Sequence, residues 1–338
     1  MIGPSNRVLI VMGARYQPCM RSTHGVQDSA IPPKWPCPNT TTTDENSPDM
    51  KCSLSQVCGF SGVPDPRGGG SLDETPQPNQ WFRFIIPMFL HAGIIHISFN
   101  MLLQLTLGRD MEKTIGPFRF AIVYFSSGIF GFVLGGNFAA AGQSSSGASG
   151  CLFGIIALIL LDLLYTWRTR QTPYVDLTFI MIDIIVCFIL GLLPGLDNFS
   201  HIGGFLMGLG LGICLLHSPD ALRERIGDVT SQELPYAPVD PNGHARGSVD
   251  STAIAKANLF VRQPLGFFKG RKPLWWMWWA IRAAALIGVL VAFIVLLNNF
   301  YTYRTECKWC KYLSCLVSSP RPPRLEPPSL KLTVEHSP

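Results

Sequence analysis

Three short constellations carry the polar chemistry of an otherwise apolar chain of 338 residues. His91, His96 and Asn100 share one apolar stretch, and the four-residue spacing of His96 and Asn100 puts them on one face of a helix. Gly147-Ala148-Ser149-Gly150 frames a serine with small residues, and Asn198-Phe199-Ser200-His201 opens a glycine-rich stretch. Serine is a weak nucleophile until a base takes its proton, and His201 can supply that base. His96, Asn100 and the Ser149 backbone N–H are donors suited to the negative oxygen that develops when an acyl carbon is attacked. Each piece alone has a plainer reading. Gly-x-Ser-Gly arises by chance in roughly one chain in ten, and a lone histidine in an apolar helix more often bonds a neighbouring helix. His91 can simply brace a loop. The conjunction of all three sets is what points to nucleophilic catalysis.

The elements that must position these residues are transmembrane helices. Only 14% of residues are charged and 47% are apolar, with a mean hydropathy of +0.25, which excludes a soluble globular enzyme and a disordered chain. Six apolar blocks run over 84–107, 118–136, 147–166, 177–196, 199–217 and 275–298. Each is near the roughly 20 residues that cross a bilayer as a helix. The expected architecture is an all-α, polytopic helix bundle of six spans. In the fifth block Gly204-x-x-x-Gly208-x-x-x-Gly212 allows close approach of helix backbones.

Charge orients the bundle. Arg109, Lys113 and Arg119 separate blocks one and two, Arg168 and Arg170 separate three and four, and many basic residues lie between five and six. The connectors 137–146 and 194–199 carry no Lys or Arg, so the positive-inside rule places them, residues 1–80 and the C-terminal tail outside. All three chemical sets then lie toward the outer side. The net charge of +5 collects at helix ends, so no nucleic-acid partner is expected. Trp275, Trp276, Trp278 and Trp279 mark the cytosolic interface, with Arg282 snorkelling there.

Residues 1–80 hold 11 prolines and 8 glycines, too many for long helices. Cys19, Cys37, Cys52 and Cys58 allow two disulfides in three connectivities there. Cys307, Cys310 and Cys315 follow the last block at a spacing that suits zinc or acylation. Cys151, Cys187 and Cys214 lie inside blocks as small hydrophobes. Gln143 and Ser144 to Ser146 read equally as residues that keep water near Ser149 or as a plain polar loop, and Asn39-Thr40-Thr41 is a glycosylation sequon.

The joint pattern resembles the rhomboid intramembrane serine proteases over about 81–217. Its residues are His91, His96 and Asn100, then Gly147 to Gly150, then His201-Ile-Gly-Gly204-Phe-Leu-Met-Gly208, with Arg83 in Trp81-Phe82-Arg83 where the family has a loop arginine. The resemblance implies Ser149 as nucleophile, His201 as general base, and His96 and Asn100 as oxyanion donors. Phe153 then packs under the histidine, and His91, Arg83, Gly147, Gly204 and Gly208 support the site. A Ser-His dyad with no acidic third member is implied, and no cofactor or metal; Asp162, Asp176 and Asp183 take no catalytic role.

Matched to the family, blocks one to five correspond to core helices two to six and block six to an appended C-terminal helix. The first core helix is then expected upstream of Met1, with residues 1–80 as the loop after it. The domains read as a cysteine-containing loop (1–80), a catalytic core (81–217), a cytosolic connector (218–273), an added helix (274–300) and a Cys- and Pro-containing tail (301–338). The function implied is cleavage of single-pass transmembrane substrates near the outer or lumenal face, in the secretory pathway or plasma membrane, with the lipid bilayer as the other partner. The alternative is a catalytically impaired relative that binds membrane clients for trafficking or degradation.

Overall fold

A computed structural model describes residues 3–38, 40, 47, 51–191, 197–226, 272–305, 307 and 310. Asn39 and Thr41 of the sequon, most of the 218–273 connector, Cys315 and the tail beyond residue 310 lie outside the described residues.

The N-terminal segment forms a small stapled unit. Its helices are short: α1 (Asn6–Val11), α2 (Gln17–Met20) and α3 (Leu54–Cys58). Ser53 and Gln56 close a capping box on α3. Disulfides Cys19–Cys58 and Cys37–Cys52 select one of the three connectivities. They surround a core of Ile10, Tyr16, Leu54, Val57 and Val63. So small a core does not hold a proline-rich segment unaided, and covalent staples supply the remainder.

After residue 80 the fold is helical, and the described residues contain isolated bridges but no named strand. The first block is not one helix from residue 84. Two 3₁₀ turns, Trp81–Phe84 and Ile86–Phe89, precede an extended stretch. Helix α4 (Ile94–Leu103) begins only after Gly93, whose φ of 136° only glycine adopts readily. It continues through a π-turn, Gln104–Gly108, into α5 (Arg109–Ile115). The expectation of a helix from 84 fails because Pro87 and Gly93 interrupt it and buried Arg83 ties the chain to the N-terminal segment.

The remaining helices are α6 (Pro117–Phe138), α7 (Ser149–Tyr165), α8 (Pro173–Leu190), α9 (Asn198–Leu215), α10 (Asp220–Ile226) and α11 (Pro273–Asn298). Pro117, Pro173 and Pro273 sit in the first turn of their helices, where a missing N–H costs nothing. Among the described residues, Pro117–Phe138, Asn198–Arg225 and Pro273–Tyr303 are long and apolar enough to cross a membrane, and Ser149–Tyr165 is a shorter apolar helix.

Helix α9 lies between α6, α7 and α11. A Cβ on Gly203 would lie 2.9 Å from the Gly131 Cα of α6, and one on Gly208 2.6 Å from the Gly154 Cα of α7. Backbones this close exclude any side chain, so α9 presses Ser149 and His201 together. The outward faces of α4, the π-turn after it and α8 carry Ile95, Leu102, Leu105, Phe179, Ile182 and Ile189, all exposed. Apolar surface on this scale matches lipid rather than water.

Candidate active site

Ser149 is the first residue of α7 and His201 lies in the first turn of α9, so both sit at the same end of the bundle. The Ser149 hydroxyl and His201 Nε2 share a hydrogen bond of 2.8 Å. With Nε2 accepting, a neutral imidazole carries its proton on Nδ1, which is buried and has no hydrogen-bond partner among the described residues. The ring is held by packing instead. Phe153 stacks on it at 4.5 Å between centroids and 15° between planes, and Phe188 of α8 meets it edge-on at 6.4 Å. Phe153 follows Ser149 by one turn of α7, which places the aromatic face under the histidine.

His96 and Asn100 converge beside Gly147, two residues before the serine. The Ala92 N–H donates to His96 Nδ1 at 3.3 Å, so a neutral His96 bears its proton on Nε2. That nitrogen lies 2.8 Å from where a Cβ on Gly147 would sit, and Asn100 Nδ2 lies 3.8 Å from the same point. Gly147 also has a φ of 124°, so both backbone and space demand glycine. Asn100 Nδ2 additionally donates to the His96 carbonyl at 3.2 Å. The His91 ring abuts His96 edge-on at 5.2 Å. Two N–H donors therefore face one small space next to a serine at a helix N-terminus, where the helix dipole also favours negative charge.

Arg83 is fully buried but does not enter this space. Its guanidinium donates to Gln80 Oε1 at 2.7 Å and to the carbonyls of Ile10, Ala14 and Cys58 at 2.8, 2.6 and 2.5 Å. It organises the N-terminal segment from within. Gly204 lies against Gly150, where a Cβ would come within 3.0 Å of the Gly150 Cα, and Gly208 lies against Gly154.

Several expectations are revised. Ser144, Ser145 and Ser146 are buried rather than forming an open polar loop, and Ser145 pairs its backbone with Arg15. Cys307 and Cys310 form a disulfide, which removes both from the zinc and acylation readings. Asp162 closes the opposite end of the bundle, with Arg170 Nη2 at 2.7 Å and His217 Nε2 at 3.3 Å.

Asp197 escaped the sequence reading altogether. It caps α9, accepting from the Phe199 N–H at 3.0 Å and the Ser200 hydroxyl at 2.8 Å. An Asp ahead of a glycine-rich apolar run is a helix-start signal that pointed to it.

Residues 78–218 match a family model described as the Rhomboid domain. Over 323 residues the chain is 55% identical to rhomboid-type serine protease 2 of Emericella nidulans, covering 94% of this chain and 62% of that protein. It is 30% identical over 252 residues to RHOMBOID-like protein 1 of Arabidopsis thaliana, covering 74% of this chain and 57% of that one. It is 28% identical over 240 residues to inactive rhomboid protein 1 of Homo sapiens, covering 71% of this chain and 22% of that one. The chain thus spans 62% or less of the length of these relatives.

Proposed function

The chain belongs to the rhomboid family and is an integral membrane protein, and we propose that it is an intramembrane serine protease using Ser149 and His201. The contact that carries this reading is the 2.8 Å hydrogen bond from the Ser149 hydroxyl to His201 Nε2, made across two helices inside an apolar bundle. A part-buried serine–imidazole pair with an aromatic ring stacked on the imidazole is poorly explained as helix packing alone.

In the proposed reaction Ser149 Oγ attacks the scissile carbonyl carbon while His201 Nε2 takes its proton. The carbonyl oxygen becomes an oxyanion, held by His96 Nε2–H, Asn100 Nδ2–H and the Ser149 backbone N–H. Collapse breaks the C–N bond, and the proton on Nε2 passes to the leaving amine. Water then attacks the acyl-enzyme with His201 again as base, releasing the new carboxylate and restoring Ser149. The unpartnered Nδ1–H of His201 suits a dyad, in which packing rather than a carboxylate orients the ring.

The substrates proposed are single-pass transmembrane proteins, entering from lipid past the apolar faces of α4 and α8. Cleavage falls near the outer or lumenal face, because the basic connectors lie at the other end. Six spans, the domain limits 1–80, 81–217, 218–273, 274–300 and 301–338, and a secretory-pathway or plasma-membrane location belong to the same proposal. The name of the human relative favours a second reading, a non-cleaving client binder. Against it stand Ser149 and His201, both present and in contact.

The test is cleavage of a model transmembrane substrate in proteoliposomes by the wild-type chain and by Ser149→Ala. Cleavage by the first alone supports the protease. Equal cleavage, or none by either folded protein, removes it.

A further inference from the structure

Arg15 connects the N-terminal segment to both helices of the Ser149–His201 pair. Its backbone forms an antiparallel bridge with Ser145, donating to the Ser145 carbonyl at 2.9 Å and accepting from the Ser145 N–H at 3.0 Å. Its guanidinium Nη2 pairs with Asp197 Oδ2 at 3.0 Å, with both side chains out of solvent at 0% and 1% exposure. Ser145 lies four residues before Ser149, and Asp197 lies one turn before His201. We propose that Arg15 is a positioning residue that sets the register of the Ser149 loop against the His201 helix; the inference rests on the protease reading above.

The chemistry favours this over a mere tether. A carboxylate this dry requires a cation, and removing the cation leaves a charge the site cannot solvate. Asp197 would then turn toward water, and the bonds by which it caps α9, to Phe199 and Ser200, would go with it. His201 is the next residue of that turn, so loss of the cap shifts Nε2 relative to Ser149 Oγ. Among the described residues Asp197 is the one hydrogen-bond partner of the Arg15 guanidinium, because Nε and Nη1 have none. From behind, Arg83 fixes this segment by bonding the Ala14 carbonyl at 2.6 Å. The loop itself has a second anchor, the Gly147 N–H donating to the Pro87 carbonyl at 2.8 Å. The side chain of Arg15 therefore governs chiefly the His201 half, while its backbone holds the serine half.

The experiment compares wild type, Arg15→Ala, Arg15→Lys and, as a control on an exposed ion pair, Arg67→Ala, all reconstituted with a model substrate. A positional error of about 1 Å costs on the order of 10²-fold in rate. The kcat of Arg15→Ala is therefore expected to fall by about that factor while KM stays within about threefold. Lysine restores the charge and is expected to recover about a tenth or more of wild-type kcat, and Arg67→Ala changes neither constant. Amide exchange is expected to quicken at 198–204, less so at 143–150, and not in α11. A folded Arg15→Ala protein with kcat within about twofold of wild type, or exchange raised uniformly, overturns the proposal. If Arg15→Ala does not fold, Asp197→Asn keeps a cap acceptor but drops the charge and is read by the same criteria. If wild type and Ser149→Ala behave alike, the protease reading fails, and the exchange pattern decides the clamp on its own.

Discussion

Between residues 3 and 80 the chain is held by two disulfides and by arginines buried in hydrogen bonds, whereas from Pro117 to Leu215 it is held by glycines pressed against backbone. The contrast follows from the solvent each region faces. In lipid, burying an apolar side chain between helices gains little over leaving it among acyl chains, so close backbone contact does the holding. On the aqueous side the hydrophobic effect operates, but the N-terminal segment is too short and too rich in proline to exploit it fully. The two regions meet at one end of the bundle. Gln17 donates to the Gly136 carbonyl in the last turn of α6, Arg21 to the Phe300 carbonyl beyond α11, and Arg15 reaches the start of α9. That end is also where Ser149, His201, His96 and Asn100 gather.

If the bundle alone supplies the chemistry, the largest losses must come from its own residues. His201→Ala and Ser149→Ala should each lower cleavage by on the order of 10⁴-fold or more, and the double variant should be no worse than either, because the pair acts as one unit. Single-turnover assays of the three variants check this. Additive losses would show that Ser149 and His201 do not work together.

Next in size is Asn100→Ala. Its Nδ2 faces the space beside Gly147, so loss of the donor should lower kcat by roughly 10²–10³-fold with little change in KM. A matching rise in KM with kcat intact would make Asn100 a substrate-binding group. Melting in detergent should stay near that of wild type, since among the described residues the amide bonds a carbonyl within its own helix.

Gly204→Val tests the packing half of the contrast. A Cβ there would lie 3.0 Å from the Gly150 Cα and closer still to its carbonyl oxygen, neither of which can rotate away. Destabilisation of about 3 kcal/mol is expected, at the upper end for overpacking, with activity falling because Gly150 adjoins Ser149. Thermal unfolding in detergent measures it. An unchanged melting temperature would mean that α9 can shift and that glycine contact is not what holds the bundle.

How much of this was legible in the sequence depends on the range of the interaction. His96 and Asn100 share a helix face by spacing alone, and the glycines of α9 announce close contact by their four-residue repeat. The starts of α6, α8 and α11 coincide with a proline in the first turn, although the apolar block over 177–196 begins four residues after Pro173. The start at residue 84 misled, because Trp81 to Leu90 is as apolar as a span, and it is Pro87, Gly93 and buried Arg83 that make it wind otherwise. The Arg15–Asp197 pair joins positions 182 apart, and nothing in a polar segment marks one arginine as buried. Disulfide connectivity was open for the same reason: four thiols do not disclose their partners until the chain folds.

The smallest effect on catalysis is expected from the Cys37–Cys52 staple. Cys37–Cys52 closes a separation of 15 residues beside the Trp35–Cys52 bridge, and no hydrogen bond among the described residues joins either cysteine to Arg15 or Arg83. Cys37→Ser with Cys52→Ser releases that constraint and should destabilise the N-terminal segment by about 2–3 kcal/mol. Limited proteolysis should then cut within 30–55 first, while the bundle resists as before. Cleavage of a transmembrane substrate should change by less than about twofold, because Arg83 still holds Ile10, Ala14 and Cys58, and the second disulfide still ties Cys19 to Cys58. A large loss of kcat in this variant would mean that the segment folds as one cooperative unit with the site. The division between a stapled exterior and a glycine-packed bundle would then describe composition but not mechanics.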